Sequence, residues 1–72
     1  MKEKFLKKLG SRIREMRKQK KMPMVELGRL TNKNSRSILR LEKGEINCSL
    51  YYLCEIAEGL DTDIATIVKD LP

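Results

Sequence analysis

Two guanidinium groups and a hydroxyl mark the middle of this chain. Arg36 and Arg40 lie one helical turn apart, and Ser35 stands directly before them. Ile38 and Leu41 sit three apart on one face, so a helix gripped from behind by those two must turn Ser35, Arg36 and Arg40 outward. Such a face forms hydrogen bonds: each guanidinium is a permanently charged fork of donors. Nothing that makes or breaks covalent bonds accompanies it. There is no histidine, no phosphate-cradling glycine-rich loop and no base paired with either cysteine, Cys48 or Cys54, so an enzyme is a poor reading. Without histidine, and with two thiols in all, no metal site is expected, and no cofactor or small-molecule ligand is implied.

The stretch that must position these side chains is Leu27 to Gly44, LGRLTNKNSRSILRLEKG. A helical pattern runs to Leu30 and stops at Thr31-Asn32, where Asn tolerates the left-handed conformation that ends a helix. Asn34 starts the next helix, because its side chain can accept from a free backbone N–H of the first turn. Lys43-Gly44 ends that helix, with Gly44 supplying a positive φ. This spacing predicts a helix-turn-helix over about residues 23–43, with its second helix reading DNA.

Seventy-two residues allow one domain, 1–72, with one small core. No apolar run approaches the ~18 residues that would cross a bilayer, and no apolar segment behind the basic front suggests a secretion signal. Two cysteines are too few for a disulfide scaffold and are expected to stay reduced in a cytoplasm. The net charge of +6 is unevenly spread: residues 1–21 carry +8, residues 22–44 carry +3 and residues 45–72 carry −5. A basic front and an acidic back suit a protein that lays one face on a polyanion. The bland alternative is a Lys-rich surface that serves solubility.

Five helices are expected, with no strand-like alternation. The first spans about 3–20 on the stripe Phe5, Leu9, Ile13, Met16, widened by Leu6. Gly10 weakens its middle by roughly 1 kcal/mol relative to Ala, so residues 1–9 are open to being a frayed or separate arm. Lys7, Lys8, Arg12, Arg14 and Lys18 lie mostly off the stripe, as a solvated face or as phosphate contacts. Arg17 falls on the edge of the buried stripe and wants a carboxylate. Glu42, at the inner end of the second motif helix, is its expected bidentate partner. Pro23 suits the first turn of the second helix, which runs from about Pro23 or Met24 to Leu30, and Gly28 is read as the point where the two motif helices cross. Ser49 caps a fourth helix, about 50–59, whose core face is Leu50, Leu53, Ile56, Ala57 and Leu60. Cys54 is read as a small buried apolar residue beside that face, and Tyr51 and Tyr52 as pointing partly outward. Asp63 caps a fifth helix, about 64–70, with Ile64, Ile67, Val68 and Leu71 as its stripe. The acidic residues of this end should face away from DNA.

In joint register these pieces resemble the Cro/C1-type, or Xre-family, helix-turn-helix domain of bacterial and phage transcription regulators. The resemblance covers about residues 9–70. It rests on a basic first helix ending in Arg17, on Leu27-Gly28, on the turn Asn32-Lys33-Asn34, and on Ile38 followed by Leu41-Glu42-Lys43-Gly44. It continues through Asn47-Cys48-Ser49-Leu50 and Leu53-Cys54-Glu55-Ile56-Ala57-Glu58-Gly59-Leu60, without insertion. It implies an all-α, five-helix, lambda-repressor-like DNA-binding fold. By the same resemblance Ser35, Arg36 and Arg40 fall where members touch base edges, with Asn34 and Leu39 beside them. Arg36 or Arg40 would then pair bidentately with a guanine. Lys33, Lys43 and Asn47 fall where members approach phosphates, and the Arg17–Glu42 pair is a family feature. Met24 replaces a common Gln and keeps only its backbone N–H for phosphate. Asn32 replaces the Gly of the turn, Gly28 an Ala, and Cys48 a Pro.

The resemblance further implies a cytoplasmic, nucleoid-associated regulator of bacterial or phage origin. It would bind double-stranded DNA as a homodimer on a pseudo-palindromic operator, probing successive major grooves. The dimer contact is expected on the fourth and fifth helices, away from the basic face, where Tyr51, Tyr52 and the stripe ending at Leu71 offer apolar area; an ordinary solvent-exposed surface is the alternative. Repression or activation would follow operator position. The rival of another class is an antitoxin-type module that binds a protein toxin and also autoregulates; a tight copurifying protein would favour it. A peripheral membrane binder is disfavoured, because the Lys-rich helix lacks a spare bulky apolar face.

Overall fold

α1 (Lys2–Gln19) is an unbroken helix in the computed structural model, which describes residues 2–71. It buries Leu6, Leu9, Gly10, Ile13 and Arg17. The expectation of a frayed or separate arm before Gly10 is therefore corrected: the helix already runs through Lys2, with residue 1 outside the described residues. Phe5, expected on the stripe, lies at the surface, and Leu6 takes its place in the interior. α1 stops where Lys21 adopts φ 55 and the Met22 N–H donates back to the Arg17 carbonyl at 3.1 Å.

α2 (Met24–Leu30) starts behind Pro23, whose φ of −69 suits a helix entry and which supplies no side-chain cap. Its end is tied off locally. The Thr31 hydroxyl donates to the Leu27 carbonyl at 2.8 Å, Asn32 takes φ 59, and the Lys33 N–H donates to the Gly28 carbonyl at 2.7 Å. α3 (Ser35–Glu42) opens with the Asn34 side chain accepting from the Ser37 N–H at 2.8 Å. It closes at Gly44, φ 77. α4 (Leu50–Gly59) and α5 (Ile64–Val68) are capped in the same way by Ser49 and Asp63.

α1 packs on α3 and α5, α2 packs on α3 and α4, and α4 packs on α5. Ile13, Leu27, Ile38, Ile56, Leu60 and Ile67 meet at the centre with no exposure at all. No strand occurs among the described residues.

Three expectations about the C-terminal half are corrected. Leu50, expected in the core, is 70% exposed. It sits on the first turn of α4, where Ile46, Cys48 and Tyr52 pack against the core in its place. Cys54 is exposed, and Cys48 is the half-buried thiol, its pKa pushed up by that burial. α5 ends at Val68 rather than near 70, and Asp70 adopts φ 63.

Candidate nucleic-acid interface

α3 has two sides of opposite character. Ile38, Leu41 and Glu42 are buried against the other helices, while Ser35, Arg36, Leu39 and Arg40 are exposed together on the outer side. Leu39, a large apolar side chain, is 41% exposed there. The Arg36 side chain has no ion pair or hydrogen bond among the described residues and projects into solvent. Arg40 Nε lies 3.8 Å from Glu45 Oε1, and Lys43 Nζ lies 3.7 Å from Glu45 Oε2. Asn47 is exposed just beyond. Asn34 is exposed too, with its side-chain oxygen committed to the helix cap.

The inner end of α3 is held by α1. Arg17 Nε donates to Glu42 Oε2 at 2.6 Å and Arg17 Nη2 donates to Oε1 at 3.1 Å, a bidentate pair with both side chains nearly dry. Arg17 Nη1 donates to the Met22 carbonyl at 2.8 Å, so the same guanidinium also fixes the α1–α2 turn. A buried pair of this kind fixes geometry more reliably than it adds stability. Gly10 makes the close approach possible. A Cβ there would stand 2.5 Å from the carbonyl oxygens of both Leu41 and Glu42. Sequence reasoning took this glycine for a weak point; its role depends on a second helix that periodicity does not reveal.

The turn is anchored as well. Gly28 was expected where α2 crosses α3. Instead its absent side chain makes room for the turn backbone: a Cβ would lie 2.8 Å from the Lys33 carbonyl oxygen. Lys33, expected at a phosphate, pairs with α4. Its ammonium is 2.9 Å from Glu55 Oε1 and 4.7 Å from the Tyr52 ring centroid. Glu55 raises the Lys33 pKa, and burial raises that of the Tyr52 phenol, with Ser37 and Lys33 partly opposing.

Arg12, expected at a phosphate, also has protein partners. Its Nη1 donates to the carbonyls of Lys69 at 2.9 Å, Ile67 at 3.1 Å and Thr66 at 3.4 Å. The last carbonyls of a helix lack intrahelical partners, and a long basic side chain from α1 satisfies those of α5. Through Nη1, Arg12 thus clamps α1 to the end of α5. Met24 is half-buried against the core, leaving its backbone at the start of α2 as its polar feature. On α2, Arg29 pairs with Glu26 at 2.7 Å, which lowers the Glu26 pKa through the hydrogen bond and offsets charge on that face.

Among the described residues no His/Cys/Asp/Glu group is arranged to hold a metal ion, and no helix is long and apolar enough to cross a membrane. A short helix anchored at its inner end, with a capped turn before it and two arginines on its free side, defines a helix-turn-helix DNA-binding domain. A family model described as Helix-turn-helix matches residues 13–67. The chain belongs to that family, the Cro/C1-type DNA-binding transcription regulators.

Similar solved structures include the restriction-modification controller protein C.AhdI from Aeromonas hydrophila. It is 29% identical, with TM-score 0.84, over 86% of this chain and 94% of that one. The clp gene regulator ClgR from C. glutamicum is 22% identical, with TM-score 0.85, over 89% and 83%. An HTH_3 family transcriptional regulator from Vibrio cholerae is 19% identical, with TM-score 0.88, over 94% of this chain and 38% of that one. No curated protein sequence matches the chain.

Proposed function

We propose that this regulator is a sequence-specific repressor or controller that binds a pseudo-palindromic operator as a homodimer. The supporting observation is the division of α3: its inner side is fixed to α1 and its outer side offers Ser35, Arg36 and Arg40 without a protein surface over them. These three read base edges, with Asn34 and Leu39 flanking. Arg36 or Arg40 takes a guanine bidentately. Lys43, Asn47 and the backbone at Met24 meet phosphates and set register. Lys33 and Arg12 stay on their protein partners. Two copies join through α4 and α5, where Leu50 and Tyr51 are 70% and 74% exposed, and place two α3 helices about one DNA turn apart, roughly 34 Å. The likeness to a restriction-modification controller protein supports a regulator of that general kind, acting in the bacterial cytoplasm, where operator position decides the sign of regulation.

The test begins with selection of bound duplex from a random pool. On the selected duplex, Arg36→Ala and Arg40→Ala each cost about 1–3 kcal/mol, and much less on random duplex. Equal losses on both overturn base reading. Sedimentation at micromolar concentration showing an 8.4 kDa species alone overturns a dimer formed without DNA.

A further inference from the structure

We propose that Glu45 is a specificity-determining residue: a built-in carboxylate that competes with DNA for Arg40 and Lys43 and suppresses binding to unselected sequence. The inference rests on the reading of α3 as the helix that meets base edges.

The backbone fixes where Glu45 stands. Its N–H donates to the Arg40 carbonyl at 2.9 Å and the Gly44 N–H donates to the Leu41 carbonyl at 3.1 Å, with Gly44 at φ 77. This paired closure folds the chain back over the last turn of α3. It brings the Glu45 side chain to the end of the helix that carries Arg40 and Lys43. The carboxylate then divides between them, Oε1 at 3.8 Å from Arg40 Nε and Oε2 at 3.7 Å from Lys43 Nζ. Neither distance is a hydrogen bond, so both contacts are loose charge pairs. All three side chains are about half exposed, at 55% for Arg40, 59% for Lys43 and 49% for Glu45, which leaves the pairs open to exchange. Between Thr31 and Ser49 the acids are Glu42, buried on Arg17, and Glu45. Glu45 is thus the acid that faces whatever α3 touches.

The consequence differs between duplexes. On unselected sequence Arg40 exchanges a carboxylate for a phosphate or for water, gains little, and leaves the Glu45 charge beside a polyanion. On the selected sequence Arg40 keeps Nε on the carboxylate and turns its two Nη groups to a base edge, so the pair is retained and its loss is avoided. The same carboxylate therefore weakens non-specific binding more than specific binding.

Glu45→Gln keeps the size of the side chain and the backbone closure and removes the charge. The expected result is a gain of about fivefold in affinity for a random duplex against less than about twofold for the selected duplex, as two exposed ion pairs allow. The salt dependence on random duplex should steepen by about one unit of slope, because Lys43 is released to a phosphate. In an Arg40→Ala background the same change should raise both affinities equally, since no Arg40–Glu45 pair remains to be kept in one complex and lost in the other. An equal gain on both duplexes in the wild-type background, or a gain on neither, overturns the proposal. If Arg40→Ala lowers the selected-to-random ratio and Glu45→Gln does not, the role of Glu45 alone falls. If Arg40→Ala leaves that ratio unchanged, the reading of α3 falls with it.

Discussion

Two carboxylates three residues apart, Glu42 at the end of α3 and Glu45 just beyond it, each face an arginine. Glu42 meets Arg17 at 2.6 Å with side chains 8% and 2% exposed; Glu45 meets Arg40 at 3.8 Å with both about half exposed. The chemistry is the same and the surroundings reverse its meaning. In the dry junction both charges have lost their water, so neither can part from the other without a large cost. At the surface water and salt already satisfy both groups, so the pair contributes about 0–1 kcal/mol and yields to a better acceptor. Burial makes the first pair a fastening and exposure makes the second a contact that can be exchanged.

Breaking the fastening carries the largest expected effect. Glu42→Ala strands a buried guanidinium and should lower stability by about 3–5 kcal/mol. At about 4–8 °C per kcal/mol for a chain of this size, that amounts to a fall in Tm of roughly 12 °C or more, read by thermal unfolding. An unchanged Tm would erase the contrast between the two pairs. Gly10→Ala ranks next. Alanine gains roughly 1 kcal/mol of helix propensity, yet its methyl collides with two backbone carbonyls that no side-chain rotation can clear, for a net loss of about 2 kcal/mol. A stabilised Gly10→Ala protein would mean that α1 can shift away from α3 freely. The smallest effect belongs to the exchangeable pair: Glu45→Ala should move stability by no more than about 0.5 kcal/mol, and 1 M salt should leave that difference unmeasurable. A larger loss would class Glu45 with Glu42.

The same contrast explains what the sequence made legible. Caps at Asn34, Ser49 and Asp63 are local, so the residue type and the start of the apolar pattern suffice to place them. The meeting of Arg17 and Glu42 was readable because both residues fall at the edges of apolar stripes, where a charge is tolerated only with a partner. The contacts of Gly10, Lys33 and Arg12 were not legible for one shared reason: each meets an element remote in sequence. Arg12 reaches carbonyls 54 to 57 residues away, and no periodicity announces that reach. Leu50 and Cys54 show the other limit. A stripe tells which way a helix faces but not how far along its length a neighbour covers it.

Arg12 and Arg17 also turn α1 into a connecting rod. Five residues apart on one straight helix, about 7.5 Å along its axis, they grip the tail of α5 and the end of α3 respectively. Any tilt of α5 then arrives at the outer arginines through a stiff strut rather than through loops. The position of the outer arginines relative to α5 is thus gauged by the length and rigidity of a strut that lies in the first helix.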